Sequence, residues 1–173
     1  ISKDAIQAET HRQEVYVFET RSADANRVAD IGYRLKVANQ ALCADRRGSL
    51  GFESDTVARY AKRDRDVAVE VLRLGDGVTV THVVPGSPAD LAGLKAGDVL
   101  ISINGESVPA GRDGKEKADR RMRQLLEKSP AEPVSFVVQY AGLQRTVSVT
   151  PVLACGYEVR LEDKEEVNAY ADG

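Results

Sequence analysis

The period of the apolar positions changes several times along the chain. Val15 and Val17, with Tyr16 and Phe18 between Glu14 and Glu19, form a short β-prone run that predicts a strand. From Ser22, a candidate cap, Val28, Ile31, Leu35, Ala38 and Leu42 recur at spacings of three and four. That recurrence predicts a helix of about five turns with a single apolar stripe. The stripe is expected to cover a neighbouring element, with Gly32 permitting close approach and Arg27, Arg34 and Lys36 facing away. Arg46, Arg47 and Gly48 end the helix, and Leu50, Gly51 and Phe52 make a small apolar insert. Residues 56–74 read as a second helix on a face of Val57, Tyr60, Ala61, Val67, Ala68, Val71 and Leu72, which the charged run 62–66 can break.

Beyond Gly75-Asp76-Gly77, a tight turn, the pattern shortens. Val78, Val80, Val83 and Val84 with Thr79 and Thr81 predict a buried strand, stopped by Pro85-Gly86-Ser87-Pro88. Ser87 and Pro88 open a short helix over 89–94, with proline at its first position. A turn at 95–98 leads into a strand over 99–103, and Asn104-Gly105 supplies a tight hairpin turn. Residues 111–114 read as a flexible link into a charged helix over 115–128 with the stripe Ala118, Met122, Leu125 and Leu126. Val134, Phe136 and Val138 alternate, and so do Val147 and Val149 beyond Ala141-Gly142, which predicts a hairpin. The expected class is α+β, with a small, partly open barrel whose openings helices cover.

Composition narrows the function. Apolar residues make up 42% of the 173 and charged residues 29%, enough for a core and too apolar for wholesale disorder. The net charge is -3, from 24 basic and 27 acidic side chains with no long basic stripe, so no nucleic-acid partner is expected. Arg120, Arg121 and Arg123 read as a solvated helix face, and three Phe with no Trp leave little for base stacking. No apolar run reaches the length of a membrane span. The chain opens on Ile1 without an initiator Met and reads as a processed or excised fragment.

Candidate chemistry is sparse. Cys43, Cys155, His11 and His82 lie far apart and do not spell a zinc site. The two cysteines are either a disulfide, in an oxidising compartment, or two buried thiols. Ser87 in Gly86-Ser87-Pro88 is not a nucleophile elbow, and His82 lies in a run of Val and Thr. Glu162, Asp163, Glu165 and Glu166 read as acidic surface. No catalytic or metal residue is therefore expected, and no cofactor in this chain.

The segment from Gly86 to Gly105, Gly-Ser-Pro-Ala-Asp-Leu-Ala-Gly-Leu-Lys-Ala-Gly-Asp-Val-Leu-Ile-Ser-Ile-Asn-Gly, closely resembles the central part of PDZ domains of bacterial envelope proteases. Gly48-Ser49-Leu50-Gly51-Phe52 resembles the carboxylate-binding loop of such domains, with its first glycine displaced by one residue. The resemblance implies peptide capture by strand addition after Gly51, with the amides of Leu50, Gly51 and Phe52 turned to an anion. It also implies that Ala118, Met122 and Leu125 line a pocket for an apolar side chain, Met122 being the most adaptable. The peptide-binding set is thus Gly48, Leu50, Gly51, Phe52, Ala118, Met122 and Leu125. The insertion at 56–74 departs from the PDZ pattern and could shorten or block the groove.

A wider resemblance rests on Ile31-Gly32-Tyr33-Arg34-Leu35, Leu42-Cys43, Cys155-Gly156-Tyr157, Asp163 and the tail from Glu166 to Gly173. These look like parts of bacterial envelope zinc metallopeptidase-like proteins of the His-Glu-x-x-His class, cut before the catalytic domain. That resemblance implies a Cys43–Cys155 disulfide, a cell-envelope location, and zinc only in a downstream protease domain. The expected division is 1–47 for a strand and long helix, 48–150 for the module with its insertion at about 56–74, and 151–173 for a linker or the start of the protease domain. The expected function is recognition of extended or C-terminal peptides that presents substrate to, or regulates, that protease. The alternative is a structural module with an occluded groove.

Overall fold

A computed structural model describes residues 2–159 and residue 161. It opens with α1 (Lys3–Ala38), 36 residues long and capped by the Ser2 side chain, which accepts from the Ala5 amide. The strand expected at 14–19 lies inside this helix. Helical neighbours on both sides override the β-propensity of Val15, Tyr16 and Val17, and Phe18 turns inward to lie 5.8 Å from the Tyr60 ring. After a 3₁₀ turn at Gln40–Leu42, Cys43 bonds to Cys155, 112 residues on, with their Cα atoms 5.5 Å apart.

The 3₁₀ turn leads to β1 (Arg46–Ser49) and, past the loop at Leu50-Gly51, to β2 (Phe52–Asp55). Then come α2 (Arg65–Leu72), β3 (Thr79–Val83), α3 (Pro88–Leu91), β4 (Val99–Ile103), β5 (Glu106–Ser107), α4 (Gly111–Lys128), β6 (Val134–Tyr140), β7 (Leu143–Val149) and β8 (Val152–Cys155). One sheet runs β2-β3-β4-β6-β7, all neighbours antiparallel, with β5 added to β4. A second sheet pairs β1 with β8, Gly48 opposite Leu153. The architecture is α+β: a small sheet that does not close on itself, capped by helices.

The alternation expected of the strands gives the core. Val78, Val80, Leu100, Ile103, Phe136, Val138 and Val149 are all buried, joined by Leu94 from the turn after α3 and Ala118 from α4. Phe52 meets Phe136 edge-on at 5.7 Å, which ties β2 to this core. Asp98, 1% exposed, accepts two bonds from the Arg145 guanidinium (2.8 and 2.6 Å) and one from the Lys95 amide (2.8 Å). Arg145 also donates to the Gly93 carbonyl, so one buried carboxylate fastens β7 to the turn before β4.

Two helical expectations change. The helix read over 56–74 is only α2, preceded by 3₁₀ turns at Val57–Arg59 and Lys62–Asp64, because the exposed charged run cannot bury a continuous face. This insertion is pinched off at its neck, where Val57 N–H donates to the Gly75 carbonyl (3.1 Å) and Thr56 Oγ1 to that of Asp76 (3.0 Å). The link read at 111–114 is instead the first turn of α4, with the Gly111 amide held by the Asp76 carbonyl (2.6 Å).

Candidate functional site

Loop 50–51 is set by its carbonyls. Leu50 accepts from the Ala89 amide (2.9 Å), and Gly51 accepts from the Val84 amide (2.9 Å) and Ser87 Oγ (3.0 Å). Gly51 has φ +79°, a conformation open to glycine and strained for other residues, and a Cβ there would overlap Ser87. The residues of the Gly-Ser-Pro segment that start α3 therefore also shape the loop. Phe52 pairs with Val83 and Glu53 with His82. Because Gly51 and Val84 bond directly, the alternation of an antiparallel ladder turns the N–H and C=O of Phe52 away from β3, toward the edge of β2, which pairs with no other strand among the described residues.

Beside that edge a cavity of about 260 Å³ opens between β2 and α4. Gly48, Leu50, Gly51, Phe52 and Met122 of the expected set all border it. Ala118 does not: it is fully buried in the core. Leu125 does not either, since it borders a different surface depression with Gln124 and Lys128. Leu126, one helical turn beyond Met122, takes that place, a choice the i, i+4 spacing of α4 could have supplied.

The other wall was not foreseen. Ala29, Gly32, Tyr33 and Lys36 of α1, with Val159, line its other side. A Cβ on Gly32 would come 2.9 Å from Val159 Cβ, and one on Gly51 would come 3.1 Å from the Tyr33 ring. The stripe expected to cover the module faces outward instead, with Ile31 51%, Leu35 49% and Leu42 85% exposed. Small and polar residues, not the apolar stripe, meet the groove. The insertion is not what fills it: residues 56–74 contribute nothing to the cavity lining.

The middle of the groove is charged. Glu53 borders it; the side chain keeps contact with solvent, yet crowding by neighbouring atoms pushes its carboxyl above the usual range, while nearby Lys115, Lys36 and His82 act in the opposite sense. Burial lowers the Lys36 ammonium, opposed by Glu158 and Glu53. Lys115 pairs with Asp119 one turn along α4, and His82 Nε2 lies 2.7 Å from Asp30 of α1. A carboxyl whose pKa is raised by folding contributes stability that is complete below its unfolded pKa and lost as pH rises through the folded value. Glu53→Gln should therefore raise Tm at neutral pH only slightly, because solvent screens an exposed carboxyl, and the gain should vanish below roughly pH 4, where the wild-type carboxyl is itself protonated. A Tm series across pH checks this; a gain independent of pH would contradict it.

A family model described as PDZ domain matches residues 79–139, from β3 to β6. The Arabidopsis thaliana "Putative protease Do-like 14" is 42% identical over 62 residues, 36% of this chain and 14% of that protein. A "Probable periplasmic serine endoprotease DegP-like" of Marinomonas sp. is 34% identical over 80 residues, 43% of this chain and 14% of that protein. Among solved structures, "HtrA-type protease AlgW with decapeptide" is 29% identical over 62% of this chain and 30% of its own, at a TM-score of 0.46. The chain thus spans about one seventh of the length of these curated relatives.

These matches correct the zinc expectation. The similarity covers less than half of the chain, and its bearers include probable serine endoproteases of Marinomonas and Bartonella henselae and a serine protease HTRA1 of Xenopus tropicalis. The zinc metalloprotease RasP of Geobacillus kaustophilus, 32% identical over 75 residues, carries it too. A segment shared with serine enzymes does not carry the chemistry of His-Glu-x-x-His, whose ligands and base belong to another domain. Neither the zinc metallopeptidase class nor a downstream zinc ion is retained. Asp163 and the tail from Glu166 to Gly173, on which that resemblance partly rested, lie outside the described residues. Among the described residues, no three His, Cys, Asp or Glu side chains are grouped to hold a metal ion, and no helix is long and apolar enough to cross a membrane.

Proposed function

We propose that this module binds the C-terminal or extended segment of a polypeptide by strand addition to β2. The observation that carries this reading is that the N–H and C=O of Phe52 turn away from β3, toward the edge of β2, beside a cavity bordered by Met122 and Leu126. A peptide strand bonds to that edge, its last residues reach the amides of Leu50, Gly51 and Phe52, and an apolar side chain enters the cavity. Gly48, Leu50, Gly51, Phe52 and Met122 serve as the binding set, joined by Leu126. The module acts beside a protease domain of the same polypeptide, presenting substrate to it or regulating it, and the relatives favour a serine-type enzyme there. An envelope location agrees with the periplasmic serine endoproteases among those relatives, and the Cys43–Cys155 bond suits an oxidising compartment.

Titration with peptides ending in an apolar residue tests the reading. Binding should weaken at least about tenfold when the peptide terminus is amidated or when Met122→Asp places a charge in the cavity. Equal affinity for free and amidated peptides would remove the loop from the mechanism. A second reading, a groove closed by its own chain, has specific support from Tyr33 and Val159, which line the cavity and lie close to Gly51 and Gly32.

A further inference from the structure

The way α1 lies over the groove differs from the way a permanently packed helix lies on a core. Of its 36 residues only Gly32 is buried, and the residues that meet the groove are Ala29, Gly32, Tyr33 and Lys36. The apolar residues Ile31 and Leu35 point to solvent, and a cavity remains beneath. Such a contact removes little apolar surface from water, so separating it costs little. Besides the contacts of its N-terminal half with the insertion, such as His11–Glu70 and Phe18–Tyr60, the helix is fixed at two points nearer the groove. Its C-terminal end runs into Cys43, bonded to Cys155 at the end of β8. Two turns before that end, Asp30 pairs with His82 of β3 at 2.7 Å, with both side chains mostly screened from solvent. Tyr33, between the two, covers Gly51, the turn where a peptide terminus would arrive.

We propose that residues 29–36 of α1 form a lid over the peptide groove, hinged at the Cys43–Cys155 bond and latched by the Asp30–His82 pair. The inference rests on the peptide-binding reading above. A ligand strand at the free edge of β2 needs the space that Tyr33 and Val159 border, so entry requires the latch to part and the helix to tilt. The disulfide holds the helix near the module while this happens. The measured affinity is the intrinsic affinity multiplied by the fraction of molecules with the lid open. Loosening the latch therefore tightens binding without touching a ligand contact.

The test compares the full chain with its Asp30→Ala and Tyr33→Ala variants, using one apolar-ended peptide with a free terminus. Circular dichroism confirms that each variant is folded. Asp30→Ala should bind about two- to fivefold more tightly, the effect expected of removing one partly exposed side-chain hydrogen bond. Tyr33→Ala should also bind more tightly. In the wild type, hydrogen exchange of amides 29–36 should speed up at peptide saturation. Unchanged or weaker binding by folded Asp30→Ala overturns the lid, as does exchange at 29–36 that stays constant or slows. If no variant and no wild-type sample binds any peptide, the peptide reading falls and takes the lid with it.

Discussion

Replacing Cys43 and Cys155 together by serine should lower the unfolding free energy by about 4 kcal/mol and Tm by about 10 °C. The bond closes a loop spanning 112 positions, and the entropy it removes from the unfolded chain grows with the logarithm of that length. Few native contacts share its role. The β1–β8 pair is four residues long on each strand, and the N-terminal half of α1 reaches the insertion through isolated contacts such as His11–Glu70 and Phe18–Tyr60. Without the bond, α1 and β8 should fray before the main sheet, while the Phe136 core stays folded. Thermal melts of the oxidised and double-serine proteins check the magnitude. A loss under about 1 kcal/mol would mean that β1–β8 pairing alone secures the ends of the module.

Gly51→Ala should cost about 3 kcal/mol and abolish peptide binding. Two effects add. A left-handed residue with a Cβ is strained by about 1–2 kcal/mol, and the new methyl overlaps Ser87 in a packed turn, for a further cost of about 1–3 kcal/mol. Relief requires the Gly51 carbonyl to leave its bonds with Val84 and Ser87, and that movement re-aims the amides on either side. The contrast with the cysteine pair is informative, because the double serine variant loses stability at a distance from the groove and keeps the loop. Denaturant unfolding of Gly51→Ala paired with a peptide titration separates the two losses. A folded Gly51→Ala that binds normally would show that the loop backbone does not receive the ligand.

The module was legible because its turns are spelled locally. Ser87-Pro88, Gly97-Asp98 and Asn104-Gly105 each fix a backbone geometry within a few residues, and β4 and the β6–β7 hairpin follow by alternation. The loop at Leu50-Gly51 was legible for the same reason. What escaped was whatever depends on distant partners. The run Val15–Phe18 has strand propensity, yet its neighbours keep it helical and Phe18 finds Tyr60 on the insertion. The pairing of β1 with β8 joins residues more than a hundred positions apart, and nothing in Arg46-Arg47-Gly48 announces a strand. Periodicity placed Ile31 and Leu35 inward because it finds a stripe without knowing which side the disulfide and the Asp30–His82 pair will hold against the module. On α4 it named Met122, which borders the cavity, but it could not choose between Ala118 in the core, Leu125 beside another depression, and Leu126 at the groove. No protease class is written in these residues, and their similarity to relatives described as serine endoproteases shows why reading zinc from them failed.

The central claim is that a chain end docks between β2 and α4, and backbone NMR of the labelled full chain during titration with an apolar-ended peptide tests it most directly. The account predicts saturable shifts that are largest at the amides of Leu50, Gly51, Phe52 and Glu53, with companions at Met122 and Leu126. Saturable binding whose shifts fall elsewhere, with those amides unmoved, would contradict it.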